Sequence, residues 1–96
     1  MIQFDDRYQK DPSMVSREIA GEVILVPIRQ NVGDLESIYT LNETAARAWS
    51  LIDGLHTVMD IQEAIVAEFE VEDNEAQQDL IELIENLESI SAVEKV

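Results

Sequence analysis

The clearest periodic pattern lies near the end of the chain, between about Asn74 and Ile90. Apolar residues recur there every three or four positions, and mostly acidic and amide residues fill the positions between them. Side chains three and four residues apart share one face of an α-helix, so this spacing predicts a helix with one apolar stripe. The stripe consists of Leu80, Leu83, Ile84, Leu87 and Ile90, with Ala76 one turn earlier.

Two shorter helices are predicted before this one, and their capping residues mark where they begin. Asn42 is a favourable N-cap, and Gly54 supplies the left-handed conformation at which many helices end. Thr57 is the expected cap of the next helix, which runs over Val58 to about Phe69. The apolar face of the first helix comprises Ala45, Ala48, Trp49 and Ile52.

Before the first helix, the pattern is typical of short strands. Residues 15–20 and 22–28 flank Ala20-Gly21, a pair suited to a tight turn, and residues 36–41 lead into the first helix. Pro27 cannot donate a ladder hydrogen bond, so we expect it at the strand end, at a bulge or facing away from its neighbour. Three strands followed by three helices predict an α+β domain with the helices on one face of an antiparallel sheet.

The two ends of the chain carry weaker patterns. Residues 1–14 contain Pro12 and little periodicity, so we predict a flexible or loosely docked N-terminal arm ahead of a domain over residues 15–96. Residues 92–96 would form a short extended end.

Charge restricts the function classes. The chain has 21 acidic and six basic residues, a formal net charge of −15. Nucleic-acid binding depends on cations that neutralise phosphates, and an anionic membrane surface would repel such a chain, so neither partner is expected. The field would attract a basic partner or keep the protein in solution. No stretch is long and apolar enough to span a membrane, and no signal peptide is evident, so a cytoplasmic protein is predicted.

Candidate catalytic and metal-binding groups are few. The chain has no cysteine, and its one histidine, His56, lies in a turn beside Thr57 and Asp60, which are better explained as helix-start residues. The acidic segment Glu70–Glu75 lacks the ligand spacing and mid-loop glycine of a calcium loop. We therefore expect no enzyme activity, no metal site and no cofactor.

Two features suggest a binding surface. The third strand, Glu36–Leu41, would lie at a sheet edge and lacks lysine or proline as a blocker. It would accept a strand from a peptide or from a second copy of this chain in a homodimer, unless the N-terminal arm covers it. Ile81 lies on the shoulder of the long helix's stripe, beside Gln77 and Ile84, and would line a groove next to this edge.

Three segments together resemble a known family. They are Tyr39-Thr-Leu-Asn42, Ala45-Ala-Arg-Ala-Trp49, and Asp53-Gly54 followed by Thr57-Val58 and Ile61. This pattern resembles the PqqD family of pyrroloquinoline quinone biosynthesis, within the wider group of RiPP precursor peptide recognition elements. The likeness covers roughly residues 15 to 93.

The resemblance implies a winged-helix-like domain without catalysis of its own. Such a domain binds the leader segment of a precursor peptide as an added strand and presents the peptide to a modifying enzyme, a radical S-adenosylmethionine protein in the quinone pathway. By position, the peptide-pairing residues would be Glu36, Ser37, Ile38, Tyr39 and Thr40. The groove wall would be Gln77, Ile81, Ile84, Glu85 and Glu88. The alternative is a winged-helix regulator or structural subunit that binds a folded protein; the acidic late helices disfavour a DNA-binding version.

Overall fold

The chain forms two antiparallel sheets and three helices in the computed structural model, which describes residues 2–28 and 39–96. The predicted loop over residues 29–35 and the predicted strand residues 36–38 lie outside the described residues. In chain order the elements are β1 (Tyr8–Lys10), β2 (Met14–Ile19), β3 (Glu22–Pro27), β4 (Tyr39–Leu41), α1 (Glu43–Leu51), α2 (Val58–Phe69), α3 (Asp73–Ser89) and β5 (Val93–Lys95).

The larger sheet has the order β2-β3-β4, and all its pairs are antiparallel. Leu25 in the middle strand is fully buried and pairs with Ser16 on one side and Tyr39 on the other. Ala20 and Gly21 join the first two strands with φ of 53° and 84°, as a two-residue hairpin with two left-handed positions requires. The predicted three-stranded antiparallel sheet followed by three helices is confirmed, and Pro27 ends its strand as expected.

Side-chain caps begin the first two helices where the sequence predicted. The Asn42 side chain accepts the Ala45 N–H at 2.8 Å. The Thr57 hydroxyl accepts the Asp60 N–H at 3.1 Å, and the Asp60 carboxylate accepts the Thr57 N–H at 2.9 Å, which completes a capping box.

The end of α1 differs from the prediction. The helix stops at Leu51, and the Ile52 N–H donates to the Trp49 carbonyl in a tighter last turn. The backbone of Ile52 has left the helical region, at φ −82° and ψ 86°, so the helix does not continue to Gly54. Gly54, at φ 81°, instead provides a left-handed position within the turn to α2.

The N-terminal segment also differs from the predicted arm, because it packs on the domain. Tyr8–Lys10 pair with Val93–Lys95 as a second, two-stranded sheet, and the Tyr8 side chain is only 4% exposed. The Tyr8 carbonyl accepts the Gly54 N–H at 2.8 Å, so the segment is fixed to the α1–α2 turn as well. A three-residue strand has no readable alternation, and its partner lies at the far end of the sequence. No local pattern could therefore have predicted this pairing.

The Asp53 carboxylate organises the α1–α2 turn. It accepts the backbone N–H groups of Leu55 at 2.9 Å and His56 at 3.0 Å, and the His56 Nδ1 lies 2.9 Å from its second oxygen. These donors stabilise the charged carboxylate. The Leu55 N–H first, then the His56 N–H and imidazole, lower the pKa of Asp53 to about 2.

We expect Asp53→Asn to reduce stability near neutral pH but not in strong acid. The asparagine keeps one oxygen that can accept the Leu55 and His56 N–H groups. It loses the charge and the second oxygen, which bonds the His56 imidazole. The folded pKa of about 2 lies below the ordinary value of 3.8, so the carboxylate favours folding above about pH 4, and this contribution is lost as pH falls towards 2.

Urea denaturation at about pH 7 and about pH 2.5 measures the difference in unfolding free energy between wild type and variant. Asp5→Asn, which removes the same charge from an exposed position, is the control. A wild-type advantage over Asp53→Asn that stays constant across this pH range would contradict the assigned role.

Candidate functional site

β4 forms an edge of the larger sheet. Its partner β3 pairs with it on one side through Leu25↔Tyr39, Ile24↔Thr40 and Val23↔Leu41. On the other side, no strand within residues 2–28 and 39–96 pairs with it, because the N-terminal strand pairs with β5 instead. An edge of this kind presents backbone N–H and C=O groups to an incoming strand.

A groove of about 370 Å³ lies between β4, α1 and α3. We call it the β4–α3 groove. Buried Ala48, Ile65 and Leu80 are among the apolar residues that line it, together with half-buried Ala45 and Tyr39. Its polar lining includes Asn42, Glu75, Asp79, Glu82 and Asn86. The combination of an apolar lining and a few polar groups is typical of a binding pocket of this size.

Small side chains on α1 leave room for this groove. Ala45 and Ala48 lie on the face of α1 that lines it. The large Trp49 side chain is instead buried, and the Lys10 ammonium lies 5.2 Å from the centre of its ring. Trp49 and the buried Leu41 therefore hold the fold together, whereas Tyr39 lines the groove.

The residues predicted for the peptide site fall into three groups. Glu36, Ser37 and Ile38 lie outside the described residues. Tyr39 and Thr40 lie in β4, and Thr40 is exposed. The residues predicted for the α3 wall, Gln77, Ile81, Ile84, Glu85 and Glu88, do not line the β4–α3 groove in the described part of the chain.

These α3 residues lie elsewhere on the helix. Gln77, Ile81 and Glu85 line a neighbouring shallow depression, together with Asn74, Gln78 and Glu82, the last of which also lines the groove. Burial first, and then the carboxylate of Glu88, raise the pKa of the Tyr8 hydroxyl, which places Glu88 towards β1. Ile84 is 0% exposed, so the structure assigns it to the core instead of the groove wall.

The helix therefore turns its other flank towards β4. Asp79, Leu83 and Asn86 line the groove, and their spacing of four and three residues is as regular as that of the predicted set. Both flanks of the apolar stripe carry acidic and amide residues. Only the orientation of α3 against the sheet distinguishes the two flanks, and the periodicity of the sequence does not reveal this orientation.

Other chemistry is sparse in the described residues. His56 bonds to Asp53, and no group of three His, Cys, Asp or Glu side chains in residues 2–28 and 39–96 is arranged to hold a metal ion. None of the helices in this part of the chain is both long and apolar enough to span a bilayer.

Comparisons with known proteins agree with this architecture. Residues 22–92 match the family model described as Coenzyme PQQ synthesis protein D (PqqD). The solved structure of TbiB1 in complex with the TbiA(beta) leader peptide is 24% identical, with a TM-score of 0.73, over 90% of this chain and 94% of that one. Lasso peptide synthetase B1 complexed with the leader peptide is 20% identical, with a TM-score of 0.75, over 92% and 98%. These two likenesses show the fold. No curated relative matches the chain.

The contrast between Ile84 and Ile81 gives a stability prediction. Ile84→Ala empties a fully buried position and should lower the free energy of unfolding by about 2–5 kcal/mol. Ile81→Ala makes the same chemical change at a half-buried position and should cost less. Urea denaturation measures both. Equal losses for the two variants would contradict the assignment of Ile84 to the core.

Proposed function

This chain belongs to the PqqD family, and on that basis we propose that it binds the leader segment of a ribosomally synthesised precursor peptide. The leader adds to β4 as an extended strand, and its side chains enter the β4–α3 groove. The chain presents the peptide to a modifying enzyme and does not catalyse the modification itself. For the quinone pathway, the family resemblance implies a radical S-adenosylmethionine protein as that enzyme.

One observation carries this proposal: β4 is an edge strand, and a partly apolar groove lies directly beside it. Main-chain hydrogen bonds to an edge strand provide affinity without regard to sequence, and pockets for alternate side chains provide specificity. Both parts of this recognition mode meet at Tyr39, which belongs to β4 and lines the groove. The two similar structures hold leader peptides, which supports the same class of ligand here.

Backbone amide chemical shifts test where a peptide binds. We expect a synthetic leader peptide, taken from a short precursor encoded beside the gene, to shift the NMR signals of Tyr39, Thr40 and Leu41. The groove residues Asp79, Glu82 and Asn86 should shift in the same titration. Shifts confined to other elements would contradict strand addition at β4. If β4 instead pairs with a second copy of the chain, its signals would shift with protein concentration and not with added peptide.

Filling the groove should block binding. Ala45→Phe places a large ring in the space beside β4. The backbone N–H of residue 45 can still donate to the Asn42 side chain that caps α1. The leader side chains would then lack the space that they occupy in the groove, so we expect roughly ten-fold weaker leader binding, about 1.4 kcal/mol, by isothermal titration calorimetry. Ala67→Phe adds the same ring to an exposed position of α2 that does not line the groove, and should bind normally.

A further variant separates the two flanks of α3. The sequence-based prediction places Ile81 in the site, and Ile81→Asp should then weaken binding as Ala45→Phe does. Unchanged affinity for Ile81→Asp, combined with weaker binding for Ala45→Phe, would favour the β4–α3 groove as the peptide site. Loss in Ile81→Asp alone would assign it to the shallow depression.

A further inference from the structure

The charge of the β4–α3 groove restricts the peptides that fit it. Three of its lining residues, Glu75, Asp79 and Glu82, are exposed carboxylates on one side of α3. They recur at spacings of four and three residues, so they form a line along the helix beside the apolar lining. The groove is therefore apolar at its base and anionic along one side.

These carboxylates have no basic partner in the part of the chain that the structure describes. None of the lysines or arginines of residues 2–28 and 39–96 lines the groove. Arg47 bonds to Glu68 at 2.7 Å, Lys95 bonds to Asp6 at 3.1 Å, and Lys10 lies over Trp49. α3 itself contains neither lysine nor arginine. The negative field along the groove is thus not neutralised by these described cations, and a ligand that supplies cations would be complementary to it.

We propose that the bound peptide carries a lysine or arginine two residues from an apolar residue whose side chain enters the groove. This inference rests on the proposed function. In a strand added to β4, side chains alternate between the two faces, so residues i and i+2 point to the same side. An apolar side chain seated against Leu83 and a cation at Asp79 therefore belong to one face of the added strand.

The spacing of the two elements agrees with this pattern. Asp79 and Leu83 are one helical turn apart, a rise of about 5.4–6 Å. Two residues of an extended strand span about 6.6–6.8 Å. The flexible stems of lysine and arginine readily cover the small difference, and they can lie along the apolar lining while the charged end reaches the carboxylate.

Selection from a display library of random peptides of about ten residues tests this pattern. The enriched peptides should contain an apolar residue followed or preceded, two positions away, by lysine or arginine. A synthetic copy of an enriched peptide should bind more weakly as salt rises, because exposed charges are screened. The same peptide with glutamine in place of its basic residue should bind about two- to five-fold more weakly.

Two double variants with equal charge changes locate the effect. Glu75→Gln with Asp79→Asn removes two carboxylates from the groove, and should weaken binding of the synthetic peptide by about two- to five-fold, as replacement of its basic residue does. Glu85→Gln with Glu88→Gln removes two carboxylates from the same helix outside the groove, and should change the affinity less than about two-fold.

The outcomes separate this inference from the proposed function. Enriched peptides that shift the Tyr39 and Thr40 amides but lack the basic residue overturn the charge pattern and leave strand addition standing. Equal losses in the two double variants overturn it as well, because general attraction to an acidic protein would then explain the binding. If no enriched peptide perturbs β4, the proposed function itself fails, and the inference fails with it.

Discussion

The structure depends on burying one apolar stripe of α3. Leu80, Leu83, Ile84 and Leu87 enter a single core that also contains residues of α1, α2 and both sheets. Because this apolar stripe is buried in a closely packed core, α3 cannot rotate about its own axis, and each of its two flanks faces fixed neighbours. One flank is held beside the β4 edge and becomes the wall of a groove, and the other remains on the far side of the stripe.

Position in the fold separates the residues of the segment from Tyr39 to Trp49 into core residues and a residue that lines the groove. Trp49 and Leu41 lie in the core, where they fix α1 and β4 relative to each other. Tyr39, two residues before Leu41 in the same strand, is half-buried and lines the groove. Small residues on α1 keep the space beside it open. Because this strand is already extended, most of the entropy cost of the proposed strand addition would fall on the peptide.

Local signals predicted much of the fold and less of the site. Asn42 and Thr57 determine where α1 and α2 begin because a cap acts within three residues, and the hairpin at Ala20 follows from its two-residue turn. The direction in which α3 faces β4 was not predictable, because the positions on both sides of Leu83 are similarly polar. The end of α1 was misplaced because the backbone leaves the helical region at Ile52, and the Asp53 carboxylate organises a turn before Gly54 is reached.

Pairing of β1 with β5 also affects how the molecule assembles. Gln9 and Glu94 hydrogen-bond across 85 positions of sequence, so this contact closes a loop of nearly the whole chain. Hairpins and helices need only local ordering, so we expect docking of the N-terminal strand to be a late step in folding. That step brings Lys10 over Trp49, the sole tryptophan. The fluorescence of this indole should therefore respond to docking of the N-terminal strand as well as to burial of the ring in the core.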